Sequence, residues 1–150
     1  MCALKTGCLA RFAAELGATA AEAPAALAQQ IGMAAEKLGV GFQILDDVKN
    51  VTIGLPGKKK GDDIVEGKKS LPVLLFLRRR PEKMGMVERC FIAARSGGVD
   101  MPEVEELIQA LFDSGVLAEA EEQGKTLIAE ARKIFAESSS LFSGFIDYIT

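Results

Sequence analysis

The sequence contains no histidine and no tryptophan, and it has only three cysteines. Without histidine, catalysis by a Ser-His-Asp or Cys-His arrangement is excluded, and so is any zinc site that uses a histidine ligand. Cys2, Cys8 and Cys90 form no C-x-x-C pair, and an odd number of cysteines cannot all be joined in disulfides within one chain. A reducing compartment is the simplest interpretation, so we expect a cytoplasmic protein.

Long apolar runs and an excess of basic charge are also absent. No segment reaches the roughly 18 continuous apolar residues that a membrane span requires, and the first seven residues lack the charged-then-apolar order of a secretion signal. The formal net charge of −3 gives no electrostatic argument for nucleic acid as the main partner. Hydrophobic residues nevertheless make up 49% of the 150 residues, which predicts one globular domain, residues 1–150.

Strand-type alternation of apolar and polar residues is missing as well, and we therefore predict an all-α fold. A proline in the first turn predicts a long helix over residues 24–51, whose small side chains would allow close helix packing. Asp100 and Glu103 predict a capping box that opens a helix ending near residue 113. The other predicted helices cover residues 1–16 (ending at Gly17), 71–77, 82–95, 117–137 and 141–149.

One group of polar residues lies near the end of the long predicted helix. Gln43, Asp46, Asp47 and Asn50 have the spacing i, i+3, i+4, i+7, which places them on one side of the helix over two turns. Two carboxylates and an amide oxygen are ligands that suit a hard cation such as Mg²⁺. The alternative is a solvated acidic patch near a helix end, and an aspartate pair by itself does not decide between the two.

The segment of residues 52–69 is the only long irregular stretch, and it is rich in glycine and lysine. Lysines on such a loop can bring ammonium groups and backbone N–H donors to a polyphosphate. A solvated loop or a nucleic-acid patch is the alternative, and Asp62, Asp63 and Glu66 interrupt the basic run and weaken the second of these. The spacing G-x-x-x-x-G-K-[ST] is absent, so the segment is not a Walker loop.

Three motifs taken together are far more specific than any one alone. Lys5-Thr6-Gly7, the stretch 41–47 ending in Asp46-Asp47, and the segment 57–72 resemble, in this order and spacing, the trans-isoprenyl diphosphate synthases of the polyprenyl synthetase family. The form of the motifs is similar to that of geranylgeranyl diphosphate synthases. The specific resemblance covers residues 1 to about 80 and matches the C-terminal half of the family, and the remainder matches only as helices.

The resemblance implies an all-α bundle, here the C-terminal half of the isoprenoid synthase fold, around a deep cavity. In the family, two aspartate-rich motifs on facing helices hold Mg²⁺ against an allylic diphosphate. Asp46 and Asp47 match the start of the second motif, and Asn50 holds its last place. The metal ligands that the resemblance implies are therefore Asp46, Asp47 and Asn50, with Asp46 the strongest candidate.

The resemblance also implies roles for residues outside this motif. Lys5, Lys58 and Lys68 match lysines that contact the substrate diphosphate. Thr6 and Gln43 match positions beside the allylic carbon chain, where they favour a developing carbocation, and with Lys5 they form the predicted catalytic set. The activity implied is condensation of an allylic diphosphate with isopentenyl diphosphate.

The second motif departs from the family pattern at its last position. The usual form is D-D-x-x-D, whereas here residue 50 is asparagine. Fewer negative charges weaken a metal site, although an amide oxygen can still bind a metal or its water. Because a D-D-x-x-N form occurs among geranylgeranyl diphosphate synthases, we expect Asn50→Asp to be tolerated.

A larger departure concerns length, because family members are about twice as long. The first aspartate-rich motif and the residues that bind isopentenyl diphosphate have no counterpart here, and the first predicted helix has no polar cap. We therefore expect one half of a prenyltransferase, inactive alone, that needs self-association or a protein chain supplying the first motif. The alternative is a non-catalytic regulatory or interaction subunit of a complete synthase.

Overall fold

The computed structural model describes residues 6–54, 57 and 59–138, and these residues fold into helices and connecting turns with no strand among them. The all-α prediction is confirmed. In the described residues, no helix is both long enough and apolar enough to cross a membrane. The helices are α1 (Cys8–Ala20), α2 (Ala25–Thr52), α3 (Asp62–Val65), α4 (Leu71–Arg79), α5 (Met84–Gly97), α6 (Pro102–Asp113) and α7 (Val116–Ser138), and a 3₁₀ turn (Pro81–Lys83) precedes α5.

The predicted end of the first helix at Gly17 is wrong. The helix continues to Ala20, and it ends where Glu22 adopts a left-handed conformation with φ of 58°. One glycine costs a helix only about 1 kcal/mol relative to alanine, and the alanine-rich surroundings of Gly17 offset that cost. The predicted start of this helix and the predicted helix over 141–149 lie outside the described residues.

The capping box predicted at Asp100 is also wrong, although α6 ends at Asp113 as expected. Met101 occupies the N-cap position, and no side chain caps the helix. Asp100 lies one residue too early, and its carboxylate instead accepts a hydrogen bond from Lys59 Nζ at 3.4 Å. Both of those side chains are exposed, so this contact contributes little stability.

The chain divides into two compact units. The first contains the described residues up to Gln43 and those from Gln123 onward, and the second contains Ile44–Glu122. In the first unit, glycines bring helix backbones close together, as the small side chains of α2 predict. A Cβ on Gly41 would lie 2.7 Å from the carbonyl oxygen of Gly124, and one on Gly39 would lie 3.2 Å from Ala10 Cβ.

Helix α1, all of whose residues are described, buries none of them. Leu9, Phe12 and Leu16 are 66%, 65% and 57% exposed, and their spacing places them along one stripe of the helix. The first unit also contains an apolar groove of about 800 Å³, lined mainly by alanines of α1 and by residues of α2, with Phe135 from α7. The first unit therefore presents apolar side chains to solvent on α1 and an apolar groove.

The second unit has its own core, which holds the loop that follows α2. Helix α6 buries Val104, Leu107, Ile108 and Leu111 on one face while its glutamates at 105 and 106 stay exposed. The short helix α3 adds Ile64, which is 2% exposed. This packing fixes the position of α3 within the segment between α2 and α4.

Candidate active site

The end of α2 carries three of the predicted metal ligands, and the structure buries them to different extents. Asp47 and Asn50 are 1% and 0% exposed, whereas Asp46 is half-buried. Successive helical residues point about 100° apart, while residues three positions apart nearly share a face. Asp47 and Asn50 therefore face the interior of the second unit together, and Asp46 is the one of the three that stays partly accessible.

A partly buried lysine joins the two acidic segments of this unit. Lys68 Nζ lies 2.7 Å from Asp47 Oδ1 and 2.7 Å from Asp63 Oδ2, and the lysine side chain is only 13% exposed. Buried charges are tolerated when they are paired and hydrogen-bonded. We call Asp47, Asn50, Asp63 and Lys68 the Lys68 cluster.

The protonation of Lys68 is set by two opposing effects. Burial alone lowers the pKa of this ammonium group because it removes water from the charged form. The hydrogen bonds and negative charges of Asp47 and Asp63 act in the opposite direction and prevail, so the pKa of Lys68 lies above its ordinary value. The side chain is therefore charged at neutral pH.

Asn50 attaches the returning chain to α2 at two points. The backbone N–H of Gly61 donates to the Asn50 carbonyl oxygen at 2.9 Å, and the backbone N–H of Asp63 donates to Asn50 Oδ1 at 3.2 Å. Gly61 has φ of 87°, a conformation that favours glycine, and a Cβ there would lie 3.3 Å from both Ile108 and Val104. The turn into α3 thus depends on a glycine at this position.

The lysines that precede α3 lie at the surface. Lys59 is exposed, and its backbone N–H donates to Asp62 Oδ2 at 2.8 Å. Lys60 Nζ lies 5.8 Å from the centroid of the Phe112 ring, within the range of a cation–π contact. Lys58 and Lys5, both predicted to contact diphosphate, lie outside the described residues.

The predicted catalytic residues Thr6 and Gln43 are brought together in the first unit. Thr6 Oγ1 donates to Gln43 Oε1 at 2.9 Å in a partly buried setting. This approach of the residues before α1 to α2 needs a small residue, because a Cβ on Gly7 would lie 2.8 Å from Val40. The contact spans 37 positions in sequence, and no local pattern predicts it.

These residues can be tested for their fit to Mg²⁺. Among the residues that the structure describes, no group of three or more acidic or cysteine side chains converges in a way that could hold a metal. Asp47 and Asn50 are engaged with Lys68 and with the backbone of Asp63. Asp46 remains as a half-buried carboxylate, and Mg²⁺ is commonly held by one or two carboxylates together with substrate phosphates. Of the three predicted metal ligands, Asp46 is therefore the one whose carboxylate is available to bind Mg²⁺.

The most important pairing that the sequence does not reveal is that of Lys68 with Asp47. Twenty-one positions separate them, and the i, i+3, i+4, i+7 pattern describes α2 alone. The lysine in a basic loop is expected to face solvent or a ligand, but the structure places it against two carboxylates. The signal that the sequence does offer is that Lys68 matches a family position.

The described helices define an all-α chain with the isoprenoid synthase fold. A family model for polyprenyl synthetase matches residues 1–111. The chain belongs to the polyprenyl synthetase family.

Individual relatives agree with this assignment. Geranylfarnesyl diphosphate synthase from Aeropyrum pernix is 33% identical to this chain. The alignment covers 99% of this chain and 48% of that protein. A geranylgeranyl pyrophosphate synthase from Epichloe festucae is 31% identical over 73% of this chain and 33% of its own length. The chain thus spans about half or less of the length of these curated relatives.

Solved structures show the same relation. Heptaprenyl diphosphate synthase from Staphylococcus aureus matches 97% of this chain with a TM-score of 0.81 and 26% identity, over 46% of its own chain. Geranylgeranyl pyrophosphate synthetase from the archaeon Geoglobus acetivorans matches 99% of this chain with a TM-score of 0.71 and 25% identity, over 44% of its own chain. Both matches cover slightly less than half of a synthase.

Proposed function

We propose that this chain is a component of a Mg²⁺-dependent prenyltransferase that condenses an allylic diphosphate with isopentenyl diphosphate in isoprenoid biosynthesis. The observation that carries the proposal is an arrangement within the second unit. Asp46 is partly accessible, and it lies on the same turn of α2 as Asp47, to which Lys68 of the lysine-rich loop binds. Carboxylate and lysine side chains held near one another suit a metal-bound diphosphate.

The reaction requires the allylic C–O bond to break, with its electron pair leaving on diphosphate. The resulting cation is attacked by the double bond of isopentenyl diphosphate, a C–C bond forms, and a proton is lost to the departing diphosphate. Bound Mg²⁺ supplies charge neutralisation to the leaving group. Lys5 and Lys58 add positive charge in this proposal, and the Thr6–Gln43 pair offers oxygen dipoles to the developing cation.

Asp46 is the metal ligand that we propose from this chain. Its carboxylate is half-buried, whereas Asp47 and Asn50 are buried and engaged in the Lys68 cluster. A site that also receives diphosphate oxygens needs few protein ligands. The remaining ligands would come from the half of the fold that this chain does not span.

The exposed face of α1 supports dependence on a complementary half. Leu9, Phe12 and Leu16 are more than half exposed, and the same unit contains the apolar groove. Clusters of exposed apolar side chains mark sites of association. We propose that a polypeptide supplying the first aspartate-rich motif covers this face, and that the assembly acts in the cytoplasm, where free thiols such as Cys8 and Cys90 persist.

The test combines this chain with the half of the Aeropyrum pernix relative that it does not match. Prenyl product is measured with Mg²⁺, an allylic diphosphate and isopentenyl diphosphate. We expect no turnover by either half alone, turnover by the mixture, and loss of turnover with Asp46→Ala but not with Glu105→Ala on the exposed face of α6. Turnover by this chain alone contradicts the partner dependence, and full activity of Asp46→Ala contradicts the metal assignment.

A regulatory role is the second candidate function. It is favoured by the finding that two of the three predicted metal ligands, Asp47 and Asn50, are buried and bound within the Lys68 cluster. In that case the apolar face of α1 would bind a complete synthase and change its output. The two functions differ in their dependence on Asp46, because Asp46→Ala abolishes activity in the first case and leaves the regulatory effect unchanged in the second. Product analysis with a complete synthase distinguishes them.

A further inference from the structure

We propose that Lys68 is a positioning residue that fastens the lysine-rich loop to α2 through Asp47 and Asp63, rather than a residue that contacts the diphosphate itself. This inference rests on the proposed function, because it explains how the proposed diphosphate site keeps its shape. It also differs from the direct diphosphate contact that the family resemblance implies for this lysine.

The geometry of Lys68 leaves little opportunity for contact with an external anion. Its ammonium group has three N–H donors, and two carboxylate oxygens lie 2.7 Å from the nitrogen. The side chain is 13% exposed, and its partners Asp47 and Asp63 are 1% and 6% exposed. Moving the ammonium group out to a ligand would remove the cation from two buried carboxylates, which is strongly unfavourable.

The chain between Gly61 and Lys68 is attached to α2 at both of its ends. At the first end, Gly61 and Asp63 donate backbone N–H groups to Asn50. At the other end, Lys68 contacts Asp47 through its side chain, and its backbone N–H donates to the Asp63 carbonyl oxygen at 2.9 Å. Asp63 takes part at both ends, so the cluster acts as one unit rather than as separate contacts.

This attachment determines where the loop's exposed lysines lie. Lys59 precedes Gly61 by two residues, and Asp46 is the immediate neighbour of Asp47 on α2. Because Gly61 and Asp63 are bound to Asn50 and Lys68 to Asp47, the attachment holds the backbone before α3 next to the turn of α2 that carries Asp46. A residue that acts in this way changes ligand affinity without touching the ligand, as outer-shell residues do at metal sites.

The experiment compares Lys68→Met, Lys68→Arg and Lys59→Met, the last being a matched control at an exposed lysine of the same loop. Amide hydrogen exchange of Gly61 and Asp63 is measured on the full chain. In the reconstituted mixture, Mg²⁺-dependent binding of methylene bisphosphonate is measured, together with kcat and KM for the allylic diphosphate. Circular dichroism and the exchange of the α6 amides report whether each variant is folded.

We expect Lys68→Met to increase the hydrogen exchange of the Gly61 and Asp63 amides and to weaken bisphosphonate binding by roughly tenfold or more. We also expect the KM for the allylic diphosphate to rise by a larger factor than kcat falls. Lys68→Arg should restore much of both effects, because a guanidinium can hold two carboxylates. Lys59→Met should leave the amide protection unchanged. If Lys68→Met unfolds the chain, Asp63→Asn replaces it, since this variant removes the Lys68–Asp63 charge pair, leaves the pair with Asp47 and keeps the side-chain volume.

Weakened binding with unchanged amide protection would overturn the proposal, because it would show that Lys68 contacts the ligand directly. Lost protection with unchanged binding would overturn it as well, because the loop position would then not matter to the site. Failure of the proposed function looks different: the wild-type mixture itself would bind no bisphosphonate in the presence of Mg²⁺. In that case the positioning role would fall too, while the exchange data would still report on the attachment of the loop.

Discussion

Asn50 holds the last place of the aspartate-rich motif, and its side chain is fully buried between the helix and the returning loop. Its Oδ1 accepts the Asp63 N–H, and Asp47 lies one turn earlier on the same face of α2. Lys68 already forms salt bridges with two carboxylates, those of Asp47 and Asp63. A third carboxylate at residue 50 would have no further cation among the described members of the cluster, which gives asparagine a structural advantage here.

That Asn50→Asp is tolerated in the activity stays a prediction, and the burial of residue 50 adds an expectation for its stability. We now expect this substitution to lower the free energy of unfolding by about 1–3 kcal/mol at neutral pH, because it buries an additional negative charge beside two others. The loss should shrink as the pH falls toward 4, since the introduced carboxyl becomes protonated. Urea unfolding between pH 4 and 8 measures it, with Gln30→Glu on the exposed start of α2 as the control. Wild-type stability of Asn50→Asp throughout this range would contradict the charge argument.

Cys90 is a second residue whose burial has a measurable consequence. Burial, and then the nearby negative charges of Glu103 and Glu106, raise the pKa of this thiol from 9.0 to about 11. The unfolded chain therefore loses this proton first as the pH rises, and the thiol's contribution to stability declines between about pH 9 and 11. We expect a decline of about 1–3 kcal/mol over this interval.

The alkaline decline is isolated by comparing variants, because other groups also titrate in this range. Cys90→Ala should lose stability less steeply between pH 9 and 11 than the wild type, whereas Cys8→Ala, at an exposed cysteine, should follow the wild type. Urea unfolding at a series of pH values gives both slopes. Equal slopes for wild type and Cys90→Ala would mean that the thiol is not shielded as the structure shows.

The elements illustrate how far local patterns determine this fold. The bounds of α2 differ from the prediction by one residue at each end, because proline fixes its start and the glycine-rich segment its end. The predicted stop at Gly17 failed because a single glycine in an alanine-rich helix is only a weak stop signal. The contacts of individual side chains were less predictable. Periodicity placed Asp47 and Asn50 on one face of α2, but it did not predict that the loop packs against that face.

Two glycines of similar sequence context differ in their surroundings and provide a test. Gly41→Ala would place Cβ 2.7 Å from the Gly124 carbonyl oxygen, whereas Gly17→Ala would meet no atom within 4 Å. We expect Gly41→Ala to destabilise the chain by about 1–3 kcal/mol despite its better helix propensity. Gly17→Ala should instead stabilise it by about 0.5–1 kcal/mol. Thermal unfolding measures both, and a stabilised Gly41→Ala variant would contradict the close packing of α2 and α7.

The apolar face of α1 matters at the scale of the whole molecule. Leu9, Phe12 and Leu16 are exposed, and replacing all three with lysine should reduce binding of a hydrophobic dye without loss of stability. The same triple variant should fail to complement the missing half in the turnover assay. Ile92→Lys, at a residue of α5 that is 72% exposed, is the control and should complement normally. Normal complementation by the triple variant would show that another surface binds the partner.

The division of the chain into two units also bears on the order in which it can fold during synthesis. The second unit is continuous in sequence, whereas the first joins residues before Gln43 to residues after Gln123. A ribosome translates from the N-terminus, and units generally fold once their residues are complete. The site formed by Asp46, Asp47 and Lys68 can therefore assemble on the nascent chain, while α1 and the start of α2 must wait until α7 has emerged from the exit tunnel.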